Sequence, residues 1–591
     1  MNNDRMKKNN SNKRYWDSSL KGIAVVSGVF SLLVAVLMIF NHAAIKAGLP
    51  DKEALYSEEL VQKKAQLTQE PTNEQLIKEI RLLDLELRRD YFQRRDFARR
   101  GKYLLLVGIV IFIASLKSLA SARKKPAKPK SRSKEPEFES HNRKLERRAV
   151  SVLGASILGG VLALNAMQRS ETPFPASESQ ESSMASAVPA ADYPSPEEIQ
   201  KNWPRFRGPG GLGISAYDRA PAFWDGKTGE GVLWKTEILL PGNNSPIVWG
   251  DQVFISGADE NKKEVFCYSM QSGELLWRSP VDNIPGNPGE SPVFFEDTGR
   301  APSTMACDGS RVYAIFPDGD LIAFHFNGQR AWAKNLGVPE NPYGNASSLV
   351  LYQNLLLVQY DQGGKEDGKS MLYALEGKTG EIAWRSKRPV GSSWTTPIVI
   401  DVGKEKQLVT CSDPWIIAYE PGTGEELWKA NLLGTDLAPS PIFAADKIFA
   451  IKSNEILYAI RPDGRGDVTD SPNIVWSKDC PAPDICSPVS NGELVFILGG
   501  GGYLTCYDVQ TGVMVWEHGF DDAFQSSPSL AGGWIYLLSE SGNGYRVKAA
   551  REYEESQKSF LDEWLRASPA FLDGKIVIRG DRNLYCIGDK S

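Results

Sequence analysis

From about residue 203 onward, a tryptophan closes the same short pattern again and again. An apolar strand carrying one small residue leads into a polar turn with glycine, then into a second strand that ends in Trp. The pattern reads VFCYSMQSGELLW to Trp277, LIAFHFNGQRAW to Trp332, LYALEGKTGEIAW to Trp384, IIAYEPGTGEELW to Trp428 and LTCYDVQTGVMVW to Trp516. The small residue precedes the Trp by ten positions at Cys267, Ala374, Ala418 and Cys506, and by nine at Ala323. A further unit has Leu457-Tyr458-Ala459-Ile460, an insertion, and then Trp476, while Trp234 in GVLWKTEI lacks the first half. Successive Trp residues lie about 40–55 apart, the length of one four-stranded propeller blade. Each cycle tends to open on Ser/Thr-Pro: Ser245-Pro246, Thr396-Pro397, Ser440-Pro441, Ser487-Pro488, Ser527-Pro528 and Ser568-Pro569. Proline at the first residue of a strand costs no ladder hydrogen bond.

The expected fold of residues 203–591 is therefore an all-β propeller of four-stranded blades, docked through Trp234, Trp277, Trp332, Trp384, Trp428, Trp476 and Trp516. Six regular units, a diverged one near 526–560 and one blade shared between the chain ends make eight blades; seven is the alternative. In the shared blade the strand at Trp234 completes the unit at about 568–588. That pairing removes the open edges that otherwise invite aggregation.

The first 168 residues have a different character. They hold 31 Lys+Arg against 17 Asp+Glu, leaving 37 against 56 for the rest of the chain. An acidic repeat region lacks the basic footprint that nucleic-acid binding needs. Three apolar stretches, at about 22–40, 103–120 and 149–167, are expected to span a membrane. Residues 41–102 are expected to form a helical hairpin between the first two, and 169–202, rich in Ser, Ala, Pro and Glu, a disordered linker. Lys/Arg clusters before the first span and between the second and third place those segments in the cytoplasm. The propeller then lies outside, in the periplasm, on a multi-pass anchor in the cytoplasmic membrane.

Little in the repeat region looks catalytic. Seven cysteines include no CxxC pair, and four histidines are too few for histidine-based metal chemistry. Cys267 and Cys506 stand in the small-residue slot, as does Cys586, and read as core residues. Cys480 and Cys486 flank a proline-containing turn where a disulfide can be drawn. Arg465-Gly466-Asp467 and Pro317-Asp318-Gly319-Asp320 read as a polar insertion and a turn.

The repeated units resemble the PQQ-enzyme repeat, as do the opening WPRFRGPGGLG (Trp203 to Gly213) and the ending SPAFLDGKIVIRGDRNLYCIG. The resemblance covers residues 203–591. In quinoprotein dehydrogenases of this superfamily, PQQ stacks between a Trp and a disulfide of two adjacent cysteines, above a calcium. No two cysteines are adjacent here, so no cofactor is expected, PQQ with calcium being the alternative. The resemblance implies a BamB-like protein-interaction or ligand-binding scaffold whose partner is a protein or another component of the cell envelope. The rival reading is a PQQ- and metal-dependent oxidoreductase. The topology has a direct check: a reporter fused after residue 200 should be active only when it requires export, and activity of a cytoplasm-only reporter there would reverse the orientation.

Overall fold

The computed structural model describes residues 193–589, apart from 290–293, 295–297, 435, 454 and 481–482, together with Phe30. The three expected spans, the expected hairpin at 41–102 and the linker up to residue 192 lie outside the described residues, Phe30 excepted. Among the described residues, no helix is long and apolar enough to cross a membrane. Pro196–Gln200, at the end of the expected linker, is one helical turn. The Ser195 hydroxyl accepts from the Glu198 amide, and Pro196 stands where no donor is needed.

Among the described residues, the repeat region folds into eight sheets, each built on four antiparallel strands. Blade 1 covers residues 247–280, blade 2 306–335, blade 3 350–387 and blade 4 398–431. Blade 5 covers 442–479, blade 6 489–519 and blade 7 529–560. Blade 8 takes three strands from 570–588 and its outermost strand, Val232–Glu237, from the other end of the chain. In that strand Trp234 lies opposite Cys586 and Lys235 opposite Tyr585. The ring thus closes where the sequence placed its seam.

One register explains the small-residue slot. Cys267, Ala323, Ala374, Ala418, Ala459 and Cys506 lie directly opposite Trp277, Trp332, Trp384, Trp428, Trp476 and Trp516. A bulge follows each pair. A large ring lying across the neighbouring strand leaves room for little more than a methyl or a thiol, and all six small residues are fully buried.

A second pattern runs around the centre. Just before each innermost strand stands a Ser or Thr whose hydroxyl accepts the amide of its counterpart one blade back. Ser245 N–H donates to Thr304 at 3.0 Å, Thr304 to Ser348 at 3.0 Å, Ser348 to Thr396 at 3.0 Å and Thr396 to Ser440 at 2.9 Å. Ser440 continues to Ser487, Ser487 to Ser527 and Ser527 to Ser568, each at 3.0 Å. Ser568 returns to Ser245 at 3.1 Å. All eight residues are buried. Deleting residues 228–240 removes the outermost strand of blade 8 and bares its edge. The shortened protein should elute as aggregate in size-exclusion chromatography; a monomer with an unchanged melting temperature would show that the ring closes in another way.

Candidate functional site

The centre of the ring is the first place to look for chemistry, and the chain occupies one end of it with its own backbone. Trp203 exchanges two backbone hydrogen bonds with Val248 of blade 1, at 2.9 and 2.8 Å, and the Pro204 carbonyl accepts from Cys307 of blade 2 at 2.9 Å. Arg205 Nη2 then donates to the Pro397 carbonyl of blade 4 at 2.8 Å. Arg207 Nη2 donates to the Pro488 carbonyl of blade 6 at 2.5 Å. Leu530 of blade 7 donates to Gly213 at 2.7 Å and accepts from Ser215 at 2.8 Å. A segment that meets the innermost strands of blades 1, 2, 4, 6 and 7 in turn must run across the ring. We call Trp203–Gly213 the strap.

Its geometry follows from its glycines and its Trp. Gly208 has φ +69° and rests on the Trp203 ring, so a side chain there would overlap the indole. Trp203 is fully buried, with its ring 5.6 Å from that of Phe571 in blade 8. Both strap arginines are buried with backbone carbonyls as their hydrogen-bond acceptors and, among the described residues, no carboxylate paired to them. Burial without a counter-ion pushes Arg205 down to about 10 and Arg207 down to about 9. Each therefore remains cationic at neutral pH. The carbonyls that the arginines meet belong to prolines just after the hydroxyl ring, so the innermost strands supply the dipoles that hold two buried charges. Both arginines stand in the WPRFRGPGGLG opening, but nothing local names their partners, whose carbonyls lie 192 and 281 residues away.

The seven tryptophans singled out in the sequence sit on outermost strands at blade-to-blade contacts. The indole N–H of Trp234 donates to Met270, Trp277 to Phe326, Trp332 to Gly377, Trp476 to Val509 and Trp516 to Ala550, each a carbonyl of the next blade. The turn glycine of the next blade packs on the ring in most of these contacts: Gly424 on Trp384 and Gly512 on Trp476 leave no space for a side chain. Trp428 differs. Its indole bonds the Gln407 side chain at 2.9 Å, and it is fully buried, whereas Trp277, Trp332, Trp384, Trp476 and Trp516 keep a partly open edge. The cause is the insertion in blade 5. Gly466–Asp467 leaves its own blade and adds a fifth, parallel strand to the outer edge of blade 4, over Trp428 and Lys429. The Arg465-Gly466-Asp467 run is thus held down, with Arg465 paired to Glu405 at 2.7 Å.

Two rim features were not legible in the sequence. Lys263 of blade 1 pairs with Asp318, in a turn of blade 2, and at 2.6 Å with Asp320, the first residue of the strand that follows it. Asn287 and Asn335 complete the partners of Asp320 at 2.8 Å. A groove of about 610 Å³ lies beside the outermost strand of blade 8, lined by charged groups including Lys227, Lys235, Glu237 and Asp562.

The residues do not reproduce the donor set that PQQ uses in the dehydrogenases. All seven cysteines are free and buried. The disulfide drawn between Cys480 and Cys486 does not form: the two thiols point into different cores, and Cys486 faces the carbonyls of Phe524 and Ser526. Burial pushes the Cys411, Cys480, Cys506 and Cys586 thiols up to about 12, so none is a thiolate nucleophile at neutral pH. Among the described residues, no three His, Cys, Asp or Glu side chains converge as a metal-ligand set. Trp428→Ala should destabilise the propeller by about 3–5 kcal/mol through the cavity it leaves. An unchanged denaturation midpoint would contradict this placement.

Comparison with known proteins agrees with the fold. Among solved structures, a quinohemoprotein alcohol dehydrogenase from Comamonas testosteroni superposes with a TM-score of 0.51 at 12% identity, over 68% of this chain and 85% of that one. BamB from Moraxella catarrhalis gives 0.46 at 12% identity, over 61% and 99%. At such identity the likeness to the dehydrogenase carries the propeller fold alone. No curated protein matches by sequence. The family described as outer membrane protein assembly factor BamB matches residues 214–359, 344–484 and 468–552. These segments cover more than half of the chain, which therefore belongs to this family of PQQ-repeat propellers.

Proposed function

We propose that this protein is a membrane-anchored, extracytoplasmic scaffold whose propeller binds a protein partner in the cell envelope. The observation that carries the reading is the strap. The chain fills one end of its own ring with Arg205 and Arg207, each already engaged by backbone carbonyls. The thiols in the blades are buried and protonated, which leaves the outer rim and the blade edges as the surfaces on offer. Membership of the BamB family points the same way, and its description suggests a role in assembling envelope proteins. The apolar stretches at 22–40, 103–120 and 149–167 supply the anchor. The Lys/Arg bias around them puts the propeller in the periplasm.

The test is reciprocal co-purification of the full chain from membranes in mild detergent, beside a titration with PQQ and calcium. A scaffold should recover the same envelope protein whichever partner carries the tag, and the titration should leave its tryptophan fluorescence unchanged. Stoichiometric PQQ binding with alcohol-dependent dye reduction would overturn the scaffold in favour of a quinoprotein oxidoreductase.

A further inference from the structure

The seam of the ring is covered by one stretch of chain that precedes blade 1. Residues 203–237, here the arm, begin with the strap across the centre. They then meet the outer edge of blade 7 and end as the outermost strand of blade 8. Blade 7 depends on the arm for its edge. Its own outermost strand is only Ser559–Phe560 and carries no tryptophan. The arm supplies both backbone and ring. Asp225 bridges Phe560 in parallel, the Gly226 amide donates to the Phe560 carbonyl at 2.7 Å, and the Phe560 amide donates to the Trp224 carbonyl at 3.1 Å. The Trp224 amide donates to Ser559 Oγ at 3.1 Å. The Trp224 ring is fully buried over Gly544, where a side chain would overlap the indole.

Apolar burial holds the arm, while its polar groups are poorly satisfied. Trp203, Trp224 and Trp234 all enter one core cluster, shared with Leu538 of blade 7, Phe571 of blade 8 and Val253 of blade 1. One core thus ties together the start, middle and end of the arm. Among the described residues, twenty-one buried side-chain polar atoms lack a partner, and five of them fall between Trp203 and Trp224. They are the indole nitrogens of Trp203 and Trp224, Arg205 Nε, and Arg207 Nε and Nη1; the other sixteen are spread over residues 252–579. Each such group favours an open state in which water satisfies it. The backbone adds to this: Arg207 has φ +61°, a left-handed conformation uncommon outside glycine. The hydroxyl ring differs, because each of its eight amides has an acceptor.

We propose that Trp203–Glu237 is a latch, which opens as one unit while the ring of blades stays closed. The shared core makes the arm leave together, and the bond from Ser568 to Ser245 keeps blades 8 and 1 joined when it does. Opening uncovers the strap end of the ring and the outer edges of blades 7 and 8, surfaces that the closed arm withholds. The latch does not depend on the scaffold reading, since it follows from the arm's own contacts.

The test is hydrogen exchange of the full chain in detergent, under native conditions with low concentrations of denaturant. Six amides are protected by contacts between the arm and the blades: Ser215, Gly226, Ile238, Leu530, Phe560 and Gly588. They should share one exchange rate, about a hundredfold or more above that of the ring amides, and it should rise with denaturant as a sub-global opening does. Trp224→Ala should speed all six by a common factor. Ser559→Ala removes only the acceptor of the Trp224 amide; it should act on the same six more mildly, and it serves if the Trp224 variant does not fold. Trp332→Ala, between blades 2 and 3, should speed the ring amides and leave the six unchanged, because that contact survives in the open latch. Six amides as slow as the ring, or six that follow Trp332→Ala, would overturn the latch, since the arm would then open only with the whole ring. Six unrelated rates, or a response to the arm variants confined to Gly226 and Phe560, would overturn it as well, since the arm would be fraying piece by piece.

Discussion

The structure depends on a closed circle of eight hydrogen bonds from backbone amide to hydroxyl. At the start of each innermost strand there is a buried amide with no ladder partner inside its own blade. A serine or threonine of the next blade supplies the acceptor, and the last of these bonds runs from Ser568 back to Ser245. Each such bond contributes about 0.5–1.5 kcal/mol net, while an orphaned buried amide costs about 1–3 kcal/mol. Over eight positions the sum is comparable with the whole stability of a typical domain. A circle has no end at which to fray, so any blade that moves out breaks two contacts. Five of the outer tryptophans repeat the logic at the rim, the indoles of Trp234, Trp277, Trp332, Trp476 and Trp516 each reaching one blade onward.

The strap is built on that circle. Its arginines donate to carbonyls one residue beyond the ring hydroxyls of blades 4 and 6, so they sit where the innermost strands are held most tightly. Two buried cations without carboxylates would be unfavourable in an apolar core; here oriented carbonyl dipoles take the place of counter-ions. The consequence for function is a ring that is filled from one side and that presents its edges. One edge, at blade 4, is covered by the chain itself.

Much of this was readable in the chain. The tryptophan spacing announced the blades, the two incomplete ends announced the seam, and six Ser/Thr-Pro pairs marked strand starts, though not the hydrogen-bonded ring that their hydroxyls form. Thr304 and Ser348 were not read as members, because Met305 and Leu349 follow them where proline follows the others. Their role is set by neighbours about 50 residues away, which no local pattern encodes. Blade 7 was legible only as divergence, since its outermost strand has two residues and no docking Trp. The strap motif was visible as a family resemblance, but the partners of Arg205 and Arg207 lie in other blades. The Gly466–Asp467 strand read as a polar insertion because parallel pairing to a neighbouring blade leaves no periodicity in so short a segment. The Cys480–Cys486 disulfide was drawn from proximity in sequence, whereas the two side chains face separate cores.

The central claim is that the hydroxyl circle makes the eight blades one cooperative unit. Native-state hydrogen exchange of the ring amides tests it most directly, because exchange reports the free energy of the smallest opening that exposes each amide. The amides of Ser245, Thr304, Ser348, Thr396, Ser440, Ser487, Ser527 and Ser568 should exchange with a single common free energy, equal to that of global unfolding. Amides of different blades that exchange at separate and lower free energies would contradict the account, since the blades would then be opening one at a time.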